Sequence, residues 1–131
     1  MKIDKELLDG LSVRAKASER QRMNMDMRTS ASDGSQRMLN ALEPGTVLPI
    51  HRHRGSSETC IILRGRAEEI FYDSEGRETE RVLLSPDGDC RGVSIERGRW
   101  HRIVALEPDT VIFEAKDGAY TPISTEDILE L

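Results

Sequence analysis

Gly45-Thr46-Val47-Leu48-Pro49-Ile50-His51-Arg52-His53-Arg54-Gly55-Ser56-Ser57-Glu58-Thr59-Cys60-Ile61-Ile62-Leu63-Arg64-Gly65 is the stretch on which the reading of this chain turns. Two histidines stand one residue apart. In an extended strand such residues share a face, so His51 and His53 present both imidazoles the same way. Arg54 to Ser57 turns the chain, and Glu58 opens an apolar, β-branched strand, Thr59 to Leu63, with its carboxylate able to fold back beside the rings. The remaining histidine, His101, follows Gly98 far along the chain. Three imidazoles and a carboxylate make an N3O donor set that suits iron(II), manganese, cobalt, nickel or zinc, without choosing among them. A lone His-x-His is weak evidence, but here every histidine of the chain joins one pattern with a matched Glu, and burying such groups unpaired is costly.

Working outward, short strands separated by turn chemistry are predicted on both sides. Asp4 reads as the N-cap of an amphipathic helix over roughly residues 4–18, with Glu6 in its first turn. Its stripe of Ile3, Leu7, Leu8, Leu11 and Ala15 must pack on its own barrel or on a partner. Met23, Met25 and Met27 then alternate with polar residues as a strand, facing a core or a subunit interface. Thr29 to Gln36 reads as a loop and Met38 to Leu42 as a second strand. Further strands are predicted over Ala67 to Tyr72 and Glu80 to Leu84, flanking the hairpin signal Asp73-Ser74-Glu75-Gly76, then over Cys90 to Ile95, Trp100 to Leu106 and Val111 to Lys116. Ser124 or Thr125 caps a final helical turn over Glu126 to Glu130. About eight strands with no helix between them imply an all-β sandwich or closed barrel. The expected organisation is one domain over 1–131, with an N-terminal helical segment 1–20, a barrel 22–117 and a C-terminal tail 118–131.

Composition narrows the function classes. The chain has 131 residues and a net charge of -5, which argues against a nucleic-acid or anionic-membrane binder, since both need a basic surface. Two cysteines make no disulfide framework. No signal-peptide stretch or run of 18 apolar residues occurs, so the expected compartment is the cytoplasm, with reduced thiols. No histidine is left over for a Ser/His/Asp set, and no Gly-rich loop cradles phosphate.

The spacing Gly45-x5-His51-x-His53-x4-Glu58-x6-Gly65 resembles the first cupin motif at every defined position. Gly98-x2-His101 resembles part of the second, which has Glu96 for its usual Pro, Cys90 for its leading Gly and Ala105 for its trailing Asn. Arg22-Met23-Asn24, Arg37 to Leu42, Glu43-Pro44-Gly45-Thr46, Val104 to Pro108, Phe113-Glu114-x-Lys116 and Tyr120 extend the likeness over nearly the whole chain, to the WbuC-type cupin metalloproteins. That resemblance implies a double-stranded β-helix (a cupin jelly-roll barrel) with one metal site and a place in bacterial surface-polysaccharide biosynthesis loci. It implies no particular reaction.

The expected metal ligands of one divalent transition ion (Fe, Mn, Ni, Co or Zn) are therefore His51, His53, Glu58 and His101. Asn24, Arg37, Glu114, Lys116 and Tyr120 are candidates to line the mouth and bind a small-molecule ligand, against the alternative of a solvated face for Glu114 and Lys116. Cys60 and Cys90 read as structural, Trp100 as packing on the outer face or an interface, and Arg64, Arg66, Glu68 and Glu69 as ordinary solvated charges. Two functions fit: a metal-dependent enzyme acting on a small polar molecule such as a sugar or sugar acid, or a non-catalytic ligand-binding or sensing module. A third reading is a structural dimerisation unit. The helix stripe and an open sheet edge, both in need of cover, predict a homodimer.

Overall fold

Alternation along the strands builds a barrel interior that is apolar at one end and polar at the other. The computed structural model describes residues 1–130; Leu131, in the expected tail, lies outside the described residues. In chain order the elements are α1 (Lys5–Ala17), β1 (Arg22–Asp26), β2 (Ser35–Leu42), β3 (Ile50–His51), β4 (Glu58–Arg64), β5 (Ala67–Tyr72), β6 (Glu78–Leu84), β7 (Gly92–Ile95), β8 (Trp100–Ala105), β9 (Thr110–Asp117), a 3-10 turn (Thr125–Asp127) and β10 (Ile128–Leu129). They form two five-stranded sheets, ordered β1-β2-β9-β4-β7 and β10-β3-β8-β5-β6, with antiparallel neighbours throughout. This is an all-β double-stranded β-helix with one short N-terminal helix.

Leu42, Cys60, Ile62, Ala67, Leu84, Ile103, Ala105 and Ile112 fill the apolar end between the sheets. Two or four residues further along the same inward faces stand Glu58 on β4, Glu69 on β5, His101 on β8, and Glu114 and Lys116 on β9. Register sets these polar residues side by side: Glu58 pairs with Lys116, Cys60 with Glu114, and His51 with His101. The apolar end fixes the strands, and the polar end inherits their positions.

The outer faces are covered separately. Leu7, Leu8, Leu11 and Ala15 of α1 lie on Leu39, Ala41, Val111 and the methionines of and beside β1, so the helix stripe packs on its own barrel. Asp4 caps α1 by accepting from the Leu7 amide at 3.0 Å. Arg64, expected as a solvated charge, instead clamps the helix. Its guanidinium donates to Asp9 Oδ1 (2.6 Å), Leu8 O (3.0 Å), Ser12 Oγ (2.9 Å) and Asp109 O (2.9 Å). Gly65, the last position of the first motif, has φ +83°, and a Cβ there would lie 2.7 Å from Thr110 Cα. Only glycine serves both demands.

The C-terminal segment differs from its predicted helical turn. The 3-10 turn lasts three residues, and β10 then pairs with β3, Ile128 opposite His51. Leu129 joins Ile50, Ile70, Tyr72 and Trp100 on the outer face of the second sheet. β2 begins at Ser35, inside the stretch expected as loop, because Gln36 and Ser35 continue the ladder to β9.

Candidate metal centre

The three histidines converge from two elements and a turn. β3 is only two residues long, so His51 is on the strand while His53 lies just beyond it, in the turn leading to β4. Their rings still meet: centroids are 5.1 Å apart for His51–His53, 4.4 Å for His51–His101 and 6.1 Å for His53–His101. One ring nitrogen from each lies within 4.8 Å of the others. Nitrogens bonded to one ion at about 2.1 Å lie at most about 4.2 Å apart, so small side-chain rotations close the set.

What surrounds the rings decides which nitrogen each presents. His51 Nδ1 lies 3.0 Å from the Pro49 carbonyl, which can only accept, so Nδ1 carries the proton and Nε2 is left with its lone pair. His101 Nδ1 lies 2.7 Å from Glu69 Oε1. The Nε2 atoms of His53 and His101 are buried with no hydrogen-bond partner among the described residues. Leaving buried polar nitrogens unmatched costs about 1–3 kcal/mol each, and a cation held at their point of convergence removes that cost. The residues present therefore fit a divalent metal ion.

Burial pulls all three imidazoles down from their ordinary range, His51 and His101 to about 4 and His53 to about 3. The charge of His101 adds to the fall at His51, and Lys116 to that at His53. The rings are thus neutral at physiological pH, the state in which imidazole binds metal.

Glu58 stands at the edge of this cluster. Its Oε2 is 3.8 Å from His53 Nε2 and 3.4 Å from Lys116 Nζ. Burial pushes its carboxyl above the usual range, Glu114 adds to the push and Lys116 opposes it. Lys116 in turn lies 3.7 Å from Glu114. Burial alone would lower its ammonium, but the two carboxylates outweigh burial and raise it. Glu69, expected in solvent, is instead 2% exposed. Burial, with Glu114 adding, raises it to about 8. The alternation Ala67, Glu69, Phe71 was the available signal for an inward Glu69, masked by Glu68 beside it.

A cavity of about 780 Å³ opens over the cluster. Asn24, Glu114, Lys116 and Tyr120 all line it. Arg37, expected with them, projects from the opposite face of β2, where it donates to Asp33 at 2.9 Å. Its neighbours Gln36, Met38 and Asn40 face the cavity instead, a one-residue change of register that reverses every side chain. Cys60 is buried in the apolar core, and burial raises its thiol well above the ordinary range. Trp100 packs on the outer face beneath Arg52, whose guanidinium carbon is 4.5 Å from its ring centre.

Comparison with known proteins agrees with this architecture. A family model described as Domain of unknown function (DUF6016) matches residues 3–84. No curated protein matches the chain in sequence. The capsular polysaccharide assembling protein CapF from Staphylococcus aureus superposes with a TM-score of 0.67 at 21% identity, over 87% of this chain and 32% of that one. KdgF from Halomonas sp. superposes at 0.61 and 20% identity, over 76% of this chain and 82% of that one. Oxalate oxidase in complex with the substrate analogue glycolate superposes at 0.62 and 12% identity, over 82% of this chain and 55% of that one. The chain thus spans about a third of CapF. All three are cupin-fold proteins, and at these identities the likeness establishes the fold.

Proposed function

The chain belongs to the domain-of-unknown-function family DUF6016, and from that premise and the geometry above we propose a metal-dependent cupin enzyme acting on a small polar molecule such as a sugar or sugar acid. His51, His53, His101 and Glu58 hold one divalent transition metal ion. The observation that carries this reading is the pair of buried, unpartnered Nε2 atoms on His53 and His101, converging with His51 at the floor of a polar cavity. When bound, the ion supplies Lewis-acid chemistry or activates a bound water or dioxygen.

The chain's own residues do the rest. Glu69 and the Pro49 carbonyl orient the His101 and His51 rings. Lys116, held between Glu58 and Glu114, is a half-buried ammonium and hydrogen-bond donor beside the metal ligands. Glu114 is an acceptor at the same level. Asn24 and Tyr120 offer hydrogen bonds to hydroxyl groups of a ligand. The charged pair of Lys116 and Glu114 beside the centre, with a cavity open over it, supports catalysis over the non-catalytic sensing module.

The resemblance to WbuC-type cupins and the structural likeness to a capsular polysaccharide assembling protein both support a role in surface-polysaccharide metabolism. Two free cysteines suit a reducing cytoplasm. We also place the protein in a homodimer, on a narrower ground than the sequence offered. The helix stripe is covered within the chain, but among the described residues β6 and β7 lie at the edges of their sheets, and open edges invite pairing. Light scattering at micromolar concentration should give twice the chain mass; a monomer removes the dimer.

Metal analysis tests the central reading. Protein purified without a chelating column should carry close to one transition ion per chain. His51→Ala and His101→Ala should each lose most of it, because each imidazole supplies a direct bond. Full retention in either variant removes the site as drawn.

A further inference from the structure

The cavity holds two cations that none of its acids pairs with. Lys116 is matched by Glu58 and Glu114 at 3.4 and 3.7 Å. Arg52 and Arg54 share the Asp127 carboxylate at 2.9 and 2.8 Å. The two cations that remain in the lining are Arg20 and Arg22. Among the described residues no carboxylate lies within 4.0 Å of either guanidinium. Arg22 is half-buried, and among the described residues the one hydrogen bond of its side chain is a long one to the Val47 carbonyl, 3.4 Å. Burial and the charge of Arg20 both pull it down, as expected of two like charges facing one space without a counter-ion.

Register gives the distance between this pair and the metal end. On β2, Gln36 lies opposite Lys116, and Leu42 lies opposite Arg22. Those positions are six residues apart, about 20 Å of extended strand. The wall between them presents Met38 and Asn40 to the cavity, with Asn40 paired to Asn24 across β1 and β2. The cavity is therefore a trough with a metal-ligand cluster at one end, amides along the side and two unmatched guanidiniums at the other. A ligand that satisfies all three is elongated, hydroxylated in its middle and anionic at the end away from the metal.

We propose that Arg20 and Arg22 form an anion subsite for a phosphate or carboxylate carried at the far end of an elongated, sugar-like substrate. Phosphate and carboxylate share the chemistry that a guanidinium fork recognises, two acceptor oxygens in one plane. The proposal deepens the function proposed above and rests on it only for what happens at the other end of the trough. The arginine pair lies on and beside β1, away from every proposed metal ligand, so its anion binding does not require the ion.

The experiment uses the full chain, chelator-stripped and metal-loaded, with binding followed by calorimetry. Inorganic phosphate probes the pair alone in stripped protein. Glucose 1-phosphate, glucuronate and neutral glucose then probe the loaded protein. Stripped wild type should bind phosphate, and Arg22→Gln should weaken that at least tenfold while metal loading stays at the wild-type level. Arg20→Gln, at an exposed position, serves as the second variant should Arg22→Gln misfold, and should weaken binding in the same direction. Both charged sugars should bind more tightly than glucose, and the tighter of the two identifies phosphate or carboxylate as the native group. Phosphate binding unchanged in a folded variant, or glucose binding as tightly as the charged sugars, overturns the subsite. A chain that binds phosphate but takes up no metal would defeat the metalloenzyme reading and leave the subsite standing.

Discussion

At the scale of single residues, the site is set by what each ring nitrogen can reach. Glu69 is buried, and at 2.7 Å from His101 Nδ1 it fixes which way that ring faces. Glu69→Gln keeps the shape and an acceptor oxygen but cannot ionise when the ion binds. Partners of this kind typically contribute ten- to a hundredfold in metal affinity, so the variant should bind the ion more than tenfold more weakly in a competition titration while melting near the wild-type temperature. Cys60→Ser is the opposite case. It places a hydroxyl in the apolar core at a cost on the order of 1–3 kcal/mol, so it should lower the melting temperature and leave metal affinity alone. The residues legible from sequence were those whose spacing carries the chemistry: His51, His53, Glu58 and His101 stand at motif distances, and Glu114 and Lys116 share a strand face. Glu69 was not legible because Glu68 beside it hides the alternation that places it inside, and Arg64 was not because its partners on α1 lie far away in the chain. Arg37 was misplaced by one residue. Its strand is flanked by polar residues on both faces, so nothing in the sequence pins the register.

At the scale of elements, β3 carries the greatest functional demand on the least structure. It is two residues long, pairs with β8 at His51–His101, and owes its other neighbour to β10. The residues alternating with its histidines, Arg52 and Arg54, grip Asp127. The Arg52 amide also donates to the Asp127 carbonyl at 3.0 Å. The C-terminal segment thus works as a strap that holds the two-histidine stretch against the barrel, while residues 118 to 123 and Asp127 line the cavity it crosses. Asp127→Ala should loosen that stretch. We expect metal affinity to fall by up to about tenfold, as for other groups that orient ligands, and limited proteolysis to cut the C-terminal segment faster than in wild type. Unchanged affinity together with unchanged cleavage would show that β10 alone holds β3. This strap was not legible beforehand, since a two-residue strand is too short to show a period and its partner lies far along the chain.

At the scale of the whole molecule, the question is whether the metal supports the fold or only uses it. The chain exposes 7571 Å², against roughly 21,000 Å² for an extended chain of this mass. The apolar end of the barrel and the helix-covered face bury this surface without any metal ligand. The chelator-stripped protein should therefore keep its β-rich circular dichroism and melt at a lower temperature than the loaded form, because the ion binds the native state alone. Acid adds a sign that the burial of the site determines. The three imidazoles have folded values of about 3 to 4, below the ordinary 6.5 of an unfolded chain. Their neutrality is a stability contribution of the stripped protein that is complete above about pH 6.5 and drains away as pH falls toward 4. Glu58 and Glu69 run the other way. Their raised values favour the protonated fold, and that contribution is lost as pH climbs from about 4.5 toward 8. Metal binding needs neutral rings and ionised carboxylates. Near pH 7 the rings are already neutral, so the protons released on binding come from the carboxyl groups. Apparent affinity should then climb gently from pH 6 to 8, with no break at 6.5, and should collapse only below about pH 5 as the rings begin to charge. Competition titrations across pH 5 to 8.5, with proton release measured in two buffers of different ionisation enthalpy, decide the matter. A steep break centred on 6.5, with two or three protons released below it, would mean that the histidines are solvated and the centre is open to water. Global unfolding of the stripped protein at neutral pH would make the ion a structural one, and would shift the function toward the non-catalytic module.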